Sequence, residues 1–282
     1  MPFTDHSDLY AALHEEGMNL VVQHVMLQRP SLFNYGTPHI QEMLKRDPHD
    51  PNALCKPIEV IKTVDDRQNP HISVEDPFVL PGTDNLLAVD FLVQLTQLRF
   101  DFHPGGVFDL PPELNPPLGE QHFAILVQMC GGVGCPTREF LEEFELPERD
   151  NKDRPPPELT VVPFDKLECF CLDLVLLGHF KPAGETLELL LRPDVDGIEF
   201  VDLKPEGLET ILECILMLLL KVVVLPKLAK TLSKLLKSPL EDLGDFTSLT
   251  LVPTPTPAKV PWNPSIDADQ VKIFVDLEEV PE

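Results

Sequence analysis

Basic side chains are scarce in this chain. Lys and Arg number 22 against 47 Asp and Glu, a net charge of −25 over 282 residues. A field of that sign repels phosphate backbones and anionic lipid surfaces, which argues against nucleic-acid binding. Catalytic signatures are missing too. There is no GxSxG elbow, no P-loop, no GxGxxG after a strand and no HExxH. The protein is therefore read as non-enzymatic. The opening MPFTDHSDLY has neither a basic region nor an apolar stretch, so it does not read as a secretory signal. No segment supplies the roughly 20 apolar residues that span a bilayer. No internal repeat is found. These absences predict a soluble, cytoplasmic protein with no cofactor.

Proline, by contrast, is abundant, with 31 residues against 14 glycines. It clusters at Pro111-Pro112, Pro116-Pro117, Pro155-Pro156-Pro157 and Pro253, Pro255, Pro257. Such clusters read as stiff extended connections. His103-Pro104-Gly105-Gly106 and Gly131-Gly132-Val133-Gly134 both read as tight turns, since no Lys-Ser or Lys-Thr follows the glycines.

Six cysteines without a secretory signal favour reduced thiols. Cys214 reads as a small buried hydrophobe. Cys130 and Cys135 bracket the Gly-rich stretch, and Cys169 and Cys171 lie on one face of a strand. The alternatives to free thiols are a disulfide pair or one tetrahedral zinc held by Cys130, Cys135, Cys169 and Cys171. The spacing is not that of a zinc ribbon, so no metal is assigned.

The most informative positive feature is the run 208–225, LETILECILMLLLKVVVL. Only Glu209, Thr210, Glu213 and Lys221 interrupt its apolar character. Pro205 suits a first helical position, and Ser238-Pro239 stops the pattern. A helix apolar nearly all round must be wrapped by a core, a lipid or another protein. Upstream, residues 7–28 read as an amphipathic helix with Leu9, Leu13, Leu20 and Leu27 on one face. A short helix is expected near 37–45 and strands near 58–64, 86–102, 121–130, 158–164, 166–178, 196–203 and 270–277. In the 86–102 strand the apolar parity slips at Thr96-Gln97, which predicts a bulge or bend.

This order predicts an α+β fold: a strongly curved antiparallel sheet wrapped around a long apolar C-terminal helix and an N-terminal amphipathic helix. Residues 1–282 are read as one domain. Within it, 1–50 form an N-terminal helical segment and 239–265 a Pro-rich connection to the last strand. The order, with VDGIEFVDLKPEGLETILECILMLLLKVVVLPKLAKTLSKLL as its strand-to-helix passage, resembles the tubular lipid-binding superfamily of bactericidal/permeability-increasing protein. The resemblance implies a lipid-accommodating groove between helix and sheet, and possible lipid transfer. Candidate lining residues are Leu212, Ile215, Leu216, Leu219, Val222 and Val223 on the helix. Ile125, Val127, Leu172 and Leu174 are the candidates on the sheet. The expected partner is a lipid or apolar small molecule, with peripheral membrane contact left open. The alternative is a structural or assembly protein whose apolar helix packs in a homo-oligomer or larger complex.

Overall fold

The structure is a computed structural model that describes residues 6–61, 68–80, 86–114, 116–134, 140, 159–180, 193–204, 227–228, 230–231 and 249–279. In chain order the elements are β1 (Leu9–His14), α1 (Glu15–Gln28), β2 (Asn34–Gly36), α2 (Pro38–Arg46), β3 (Ser73–Val74), β4 (Phe78–Val79), β5 (Leu87–Val89), β6 (Phe91–Phe102), β7 (His122–Gly134), β8 (Thr160–Val161), β9 (Leu167–Phe180), β10 (Pro193–Lys204), β11 (Leu249–Pro253), β12 (Ser265–Asp267) and β13 (Gln270–Glu279). They form three sheets, ordered β10-β9-β7-β6-β2-β3, β1-β13-β11 with β12 also on β13, and β4-β5-β8. The chain divides into two compact units. One holds Met1–Val22, Gln97–Val127 and Asp173–Glu282; the other holds Gln23–Thr96 and Gln128–Leu172. Strands β6, β7 and β9 carry residues of both.

In the first unit, β13 is the organising strand. Val271, Ile273 and Val275 are buried at alternate positions, as a half-buried strand requires. It pairs antiparallel with β1, from Leu9 opposite Val275 to His14 opposite Gln270. On the other side, β11 pairs with it from Leu249 opposite Glu279 to Pro253 opposite Val275. Asn263 is buried and serves both backbone directions at Phe274. Its Nδ2 donates to the Phe274 carbonyl at 2.7 Å, and its Oδ1 accepts from the Phe274 amide at 3.1 Å.

The first turns of α1 dock on the end of β6 through polar pairs. Asn19 exchanges two hydrogen bonds with the Phe100 backbone, at 2.9 and 2.6 Å. Glu15 Oε2 accepts from the Phe102 amide at 2.8 Å. Asp101 is fully buried, and its carboxylate accepts from the Gly106 amide at 3.0 and 3.1 Å. That contact closes the expected HPGG turn, where Gly105 takes φ 93° and Gly106 φ 152°, values that favour glycine.

Burial raises the Glu15 carboxyl above its ordinary value. The Phe102 amide works against this, Asp101 and Asp269 add to the rise, and His14 opposes it. The folded chain therefore holds this proton more readily than the unfolded chain. Stability should fall as pH rises from the ordinary 4.5 through the folded value, and stay level above it. Glu15→Gln keeps an acceptor for Phe102 and removes the titration. Unfolding free energies measured against pH should show the variant gaining on the wild type across that window. A difference independent of pH from about 4 to 8 would refute the assignment.

In the second unit, β2 pairs antiparallel with β6, Asn34 opposite Gln94 and Gly36 opposite Leu92, and pairs parallel with β3. A core of Ile40, Leu44, Ala53, Leu54, Ile72, Leu92, Phe164 and Leu167 lies under α2. The helix matches its expected place. Pro38 stands in its first turn, and Lys45 and Arg46 in its last, as the macrodipole favours.

Several expectations are corrected. The α+β class, with its sheet curved around a long helix, is overturned. Among the described residues the protein is mainly β-sheet, with two α-helices, α1 and α2, and no long C-terminal apolar helix. The run 208–225 itself lies outside the described residues. The N-terminal helix begins at Glu15, because residues 9–14 find a strand partner in β13. Its buried apolar side chains are Met18 and Val22, whereas Leu20 is 63% exposed. The expected face of Leu9, Leu13, Leu20 and Leu27 therefore does not exist as a helical face. Residues 58–61 form no strand, and β11 occupies part of the Pro-rich connection.

The 86–102 strand breaks at Asp90 rather than at Thr96. Phe91 through Leu95 are all buried, so this half of β6 is covered on both faces and its parity carries no signal. Thr96 and Gln97 are half-buried, and the boundary between the units passes between them.

The Gly-rich segment is not a turn either: Gly131–Gly134 continue β7. Glycine is needed there for close approach. A Cβ at Gly132 would lie 2.6 Å from Cys55 Sγ, and one at Gly134 2.6 Å from the Phe164 ring.

Candidate ligand-binding site

The second unit contains a half-open cavity of about 190 Å³. Its walls come from three short stretches of chain. Met26 and Leu27 belong to the end of α1, followed by Phe33 and Asn34. Lys56, Pro57, Ile58 and Glu59 come from the segment after α2, and Gln94, Leu95 and Thr96 from β6.

Local sequence explains each wall. Arg29-Pro30 ends the helix, and a 3-10 turn at Pro30–Leu32 redirects the chain. The Phe33 amide donates to the Pro30 carbonyl at 3.0 Å, and the Leu95 amide donates to the Phe33 carbonyl at 3.0 Å. These bonds fix the Phe33 backbone against β6. Asn34 Nδ2 donates to the Pro30 carbonyl at 2.9 Å and locks the turn. Tyr35 helps from behind, its buried hydroxyl donating to the Leu32 carbonyl at 2.7 Å. Burial pushes that hydroxyl well above its ordinary pKa, so it stays a donor.

The 55–61 segment has no regular structure, yet it is tied at three places. Gln94, 2% exposed, accepts from the Cys55 and Lys56 amides at 2.9 and 3.0 Å and donates to the Lys56 carbonyl at 2.6 Å. One buried amide thus replaces a missing strand partner for two residues. A disulfide joins Cys55 to Cys169, with Cα atoms 5.4 Å apart. At the far end, the Ile61 amide donates to the Leu27 carbonyl at 2.9 Å.

A second disulfide joins Cys130 to Cys171, Cα atoms 4.0 Å apart. The expected placement of Cys169 and Cys171 on one face of their strand holds, with Phe170 and Leu172 buried opposite. Reduced thiols and a four-thiolate zinc site do not hold for these residues. Four of the cysteines are paired, with Cys55 in the cluster, and Cys135 and Cys214 lie outside the described residues. Among the described residues, no group of three or more His, Cys, Asp or Glu is placed to hold a metal ion.

The sheet residues expected to line a groove are all buried: Ile125, Val127 and Leu174 in the first unit, Leu172 in the second. None of them lines this cavity. Leu212, Ile215, Leu216, Leu219, Val222 and Val223 lie outside the described residues. The residues that do line the cavity were missed because they come from segments distant in sequence. One signal was readable: Gln94 interrupts the apolar run FLVQL, and a polar residue buried in a strand needs a specific partner.

Chemically, the cavity offers apolar surface from Met26, Leu27, Phe33, Ile58 and Leu95. Its charged groups, Lys56 and Glu59, are exposed and of opposite sign. No lining residue is a serine, cysteine or histidine, and Thr96 Oγ1 already donates to the Gln128 carbonyl at 3.1 Å. Among the described residues, no helix is long and apolar enough to cross a membrane. No protein-family model and no curated protein matches the chain.

Proposed function

We propose that this protein is a non-enzymatic binding module for a small amphiphile with one short apolar chain or ring, seated in the cavity of the second unit. The observation that carries this reading is a cavity of about 190 Å³, lined by apolar side chains with polar groups between them, whose irregular wall is held by Gln94. Pre-formed apolar pockets with a few polar groups are the usual form of small-ligand sites. Its size suits a ring or short chain, since an apolar cavity on the order of 150 Å³ takes benzene. It does not suit a full-length lipid. This proposal keeps the apolar ligand expected from the sequence but makes it smaller and seats it at a different place. The lining has no serine, cysteine or histidine, and its one Lys and one Glu are exposed, which favours binding over catalysis.

The head group should be neutral. One Lys and one Glu at the rim cancel, and the chain's charge of −25 disfavours an anion. Titration calorimetry with octan-1-ol should give saturable one-to-one binding, with octanoate weaker. Met26→Trp should fill the cavity and weaken octanol by about tenfold or more, a loss of 1.4 kcal/mol. Equal octanol binding by the variant and the wild type would refute the site. The assembly reading draws on Val60 and Ile61, exposed next to the cavity wall. A stable oligomer in light scattering that binds no octanol would favour it.

A further inference from the structure

We propose that Cys55–Cys169 is a redox-modification site, opened by a dithiol reductant, that loosens the cavity wall, while Cys130–Cys171 remains closed as the structural bond. The inference rests on the cavity reading for its functional meaning.

The two bonds differ in access. Cys169 is exposed and Cys55 half-buried, whereas Cys130 is 2% exposed and Cys171 half-buried, so the first bond has an exposed sulfur residue and the second has none. A thiolate can reach only a sulfur that is open to solvent. The reductant's thiolate attacks Cys169 Sγ, the Cys55–Cys169 bond breaks, and Cys55 leaves with the electron pair. The reductant's second thiolate then attacks its own sulfur in the mixed disulfide, and Cys169 leaves. Two electrons and two protons pass to the protein, and the reductant closes to a cyclic disulfide.

Both products find acceptors already in place. Cys55 Sγ lies 3.2 Å from the Gly131 carbonyl oxygen, and Cys169 Sγ lies 3.8 Å from the Leu167 carbonyl oxygen. As thiols the two sulfurs move apart to van der Waals distance, and each has a carbonyl oxygen within reach to accept its proton. The reduced pair therefore fits the native backbone, which is what a reversible site requires.

The consequence falls on the cavity because Cys55 immediately precedes Lys56, a wall residue. With the bond open, the near end of the 55–61 segment loses its covalent tie and is held by the hydrogen bonds to Gln94, the Cys55 contact with the Gly131 carbonyl and packing of Cys55 and Ile58 on the core. A reducing compartment would loosen the wall, and an oxidising one would fix it.

The test uses the intact wild-type chain across graded ratios of reduced to oxidised dithiothreitol. Differential alkylation with mass spectrometry follows each cysteine, and amide hydrogen exchange follows Cys55, Lys56 and Ile61. Cys55 and Cys169 should become alkylated at ratios that leave Cys130–Cys171 intact. Exchange at Cys55 and Lys56 should rise on the order of tenfold at that point, with octan-1-ol affinity falling in parallel. Opening of Cys130–Cys171 first or simultaneously, or unchanged exchange at Cys55 and Lys56, overturns the proposal. If the oxidised protein binds no octanol, the cavity reading fails by itself, and the alkylation order and exchange still decide the redox site.

Discussion

Replacing Cys55 and Cys169 together by serine is expected to lower the free energy of unfolding by about 2–5 kcal/mol. The bond spans 114 residues of sequence. In the chain-entropy picture, a closed loop of about 100 residues is worth about 4.7 kcal/mol, and loss of a native disulfide from a small domain typically costs about 2–5 kcal/mol. Cys130–Cys171 stays in the variant and provides a shorter covalent route between the same points. The dependence on length is logarithmic, so this route removes little of the effect. Serine is nearly isosteric, and its hydroxyl can use the same Gly131 carbonyl that faces Cys55 Sγ. Denaturant unfolding under oxidising conditions, with the remaining disulfide verified by mass spectrometry, measures the difference. An unfolding free energy within about 0.5 kcal/mol of the wild type would mean that the pairing contributes nothing to the fold.

Gly131→Ala is expected to cost about 1–3 kcal/mol, although it adds a single methyl group. The new Cβ would meet three ring carbons of Phe170 at 3.0 Å or less. Phe170 is 4% exposed on β9, the sheet neighbour of β7, so its ring has no open side to move toward. The cause is then the pair and not alanine's backbone preference, and a double-mutant cycle separates the two. Phe170→Leu alone removes buried contacts and destabilises. Combined with Gly131→Ala, it should restore room, so that the double variant is about 1 kcal/mol or more better than the sum of the two losses. Strict additivity in thermal or urea unfolding would sink the close-approach explanation.

This glycine also shows why part of the chain was misread. In the sequence, CGGVGC has the composition of a turn, because glycine is the residue that turns require. Here the same residues are needed because aromatic side chains from β9 and from the loop before it stand where Cβ atoms would be. That information lies 30 or more residues away, at Phe164 and Phe170. Gln94 is the mirror case. Its burial breaks the apolar rule along β6, and its partners at Cys55 and Lys56 lie 39 and 38 residues upstream. Cys55 stood apart from every cysteine group readable by spacing, since its partner is 114 residues away. Gln94 lines the cavity and Cys55 anchors the segment that forms one wall, which is why the site was not legible even where individual strands were.

The sequence by itself determined the strands whose apolar residues alternate against a one-sided core. Val271, Ile273 and Val275 on β13, Phe123, Ile125, Val127 and Met129 on β7, and Phe170, Leu172, Leu174 and Leu176 on β9 are buried as read. It also determined α2, with Pro at its start and Lys and Arg at its end, and the HPGG turn. Local sterics and the two-residue period of the pleat act within a few residues, so they are written locally. Only the tertiary structure decided that residues 9–14 are strand rather than helix, because the choice depended on a partner near the opposite end of the chain. It also decided which cysteines pair and where apolar surface is left as a cavity. Those outcomes depend on close packing between segments that no local period relates.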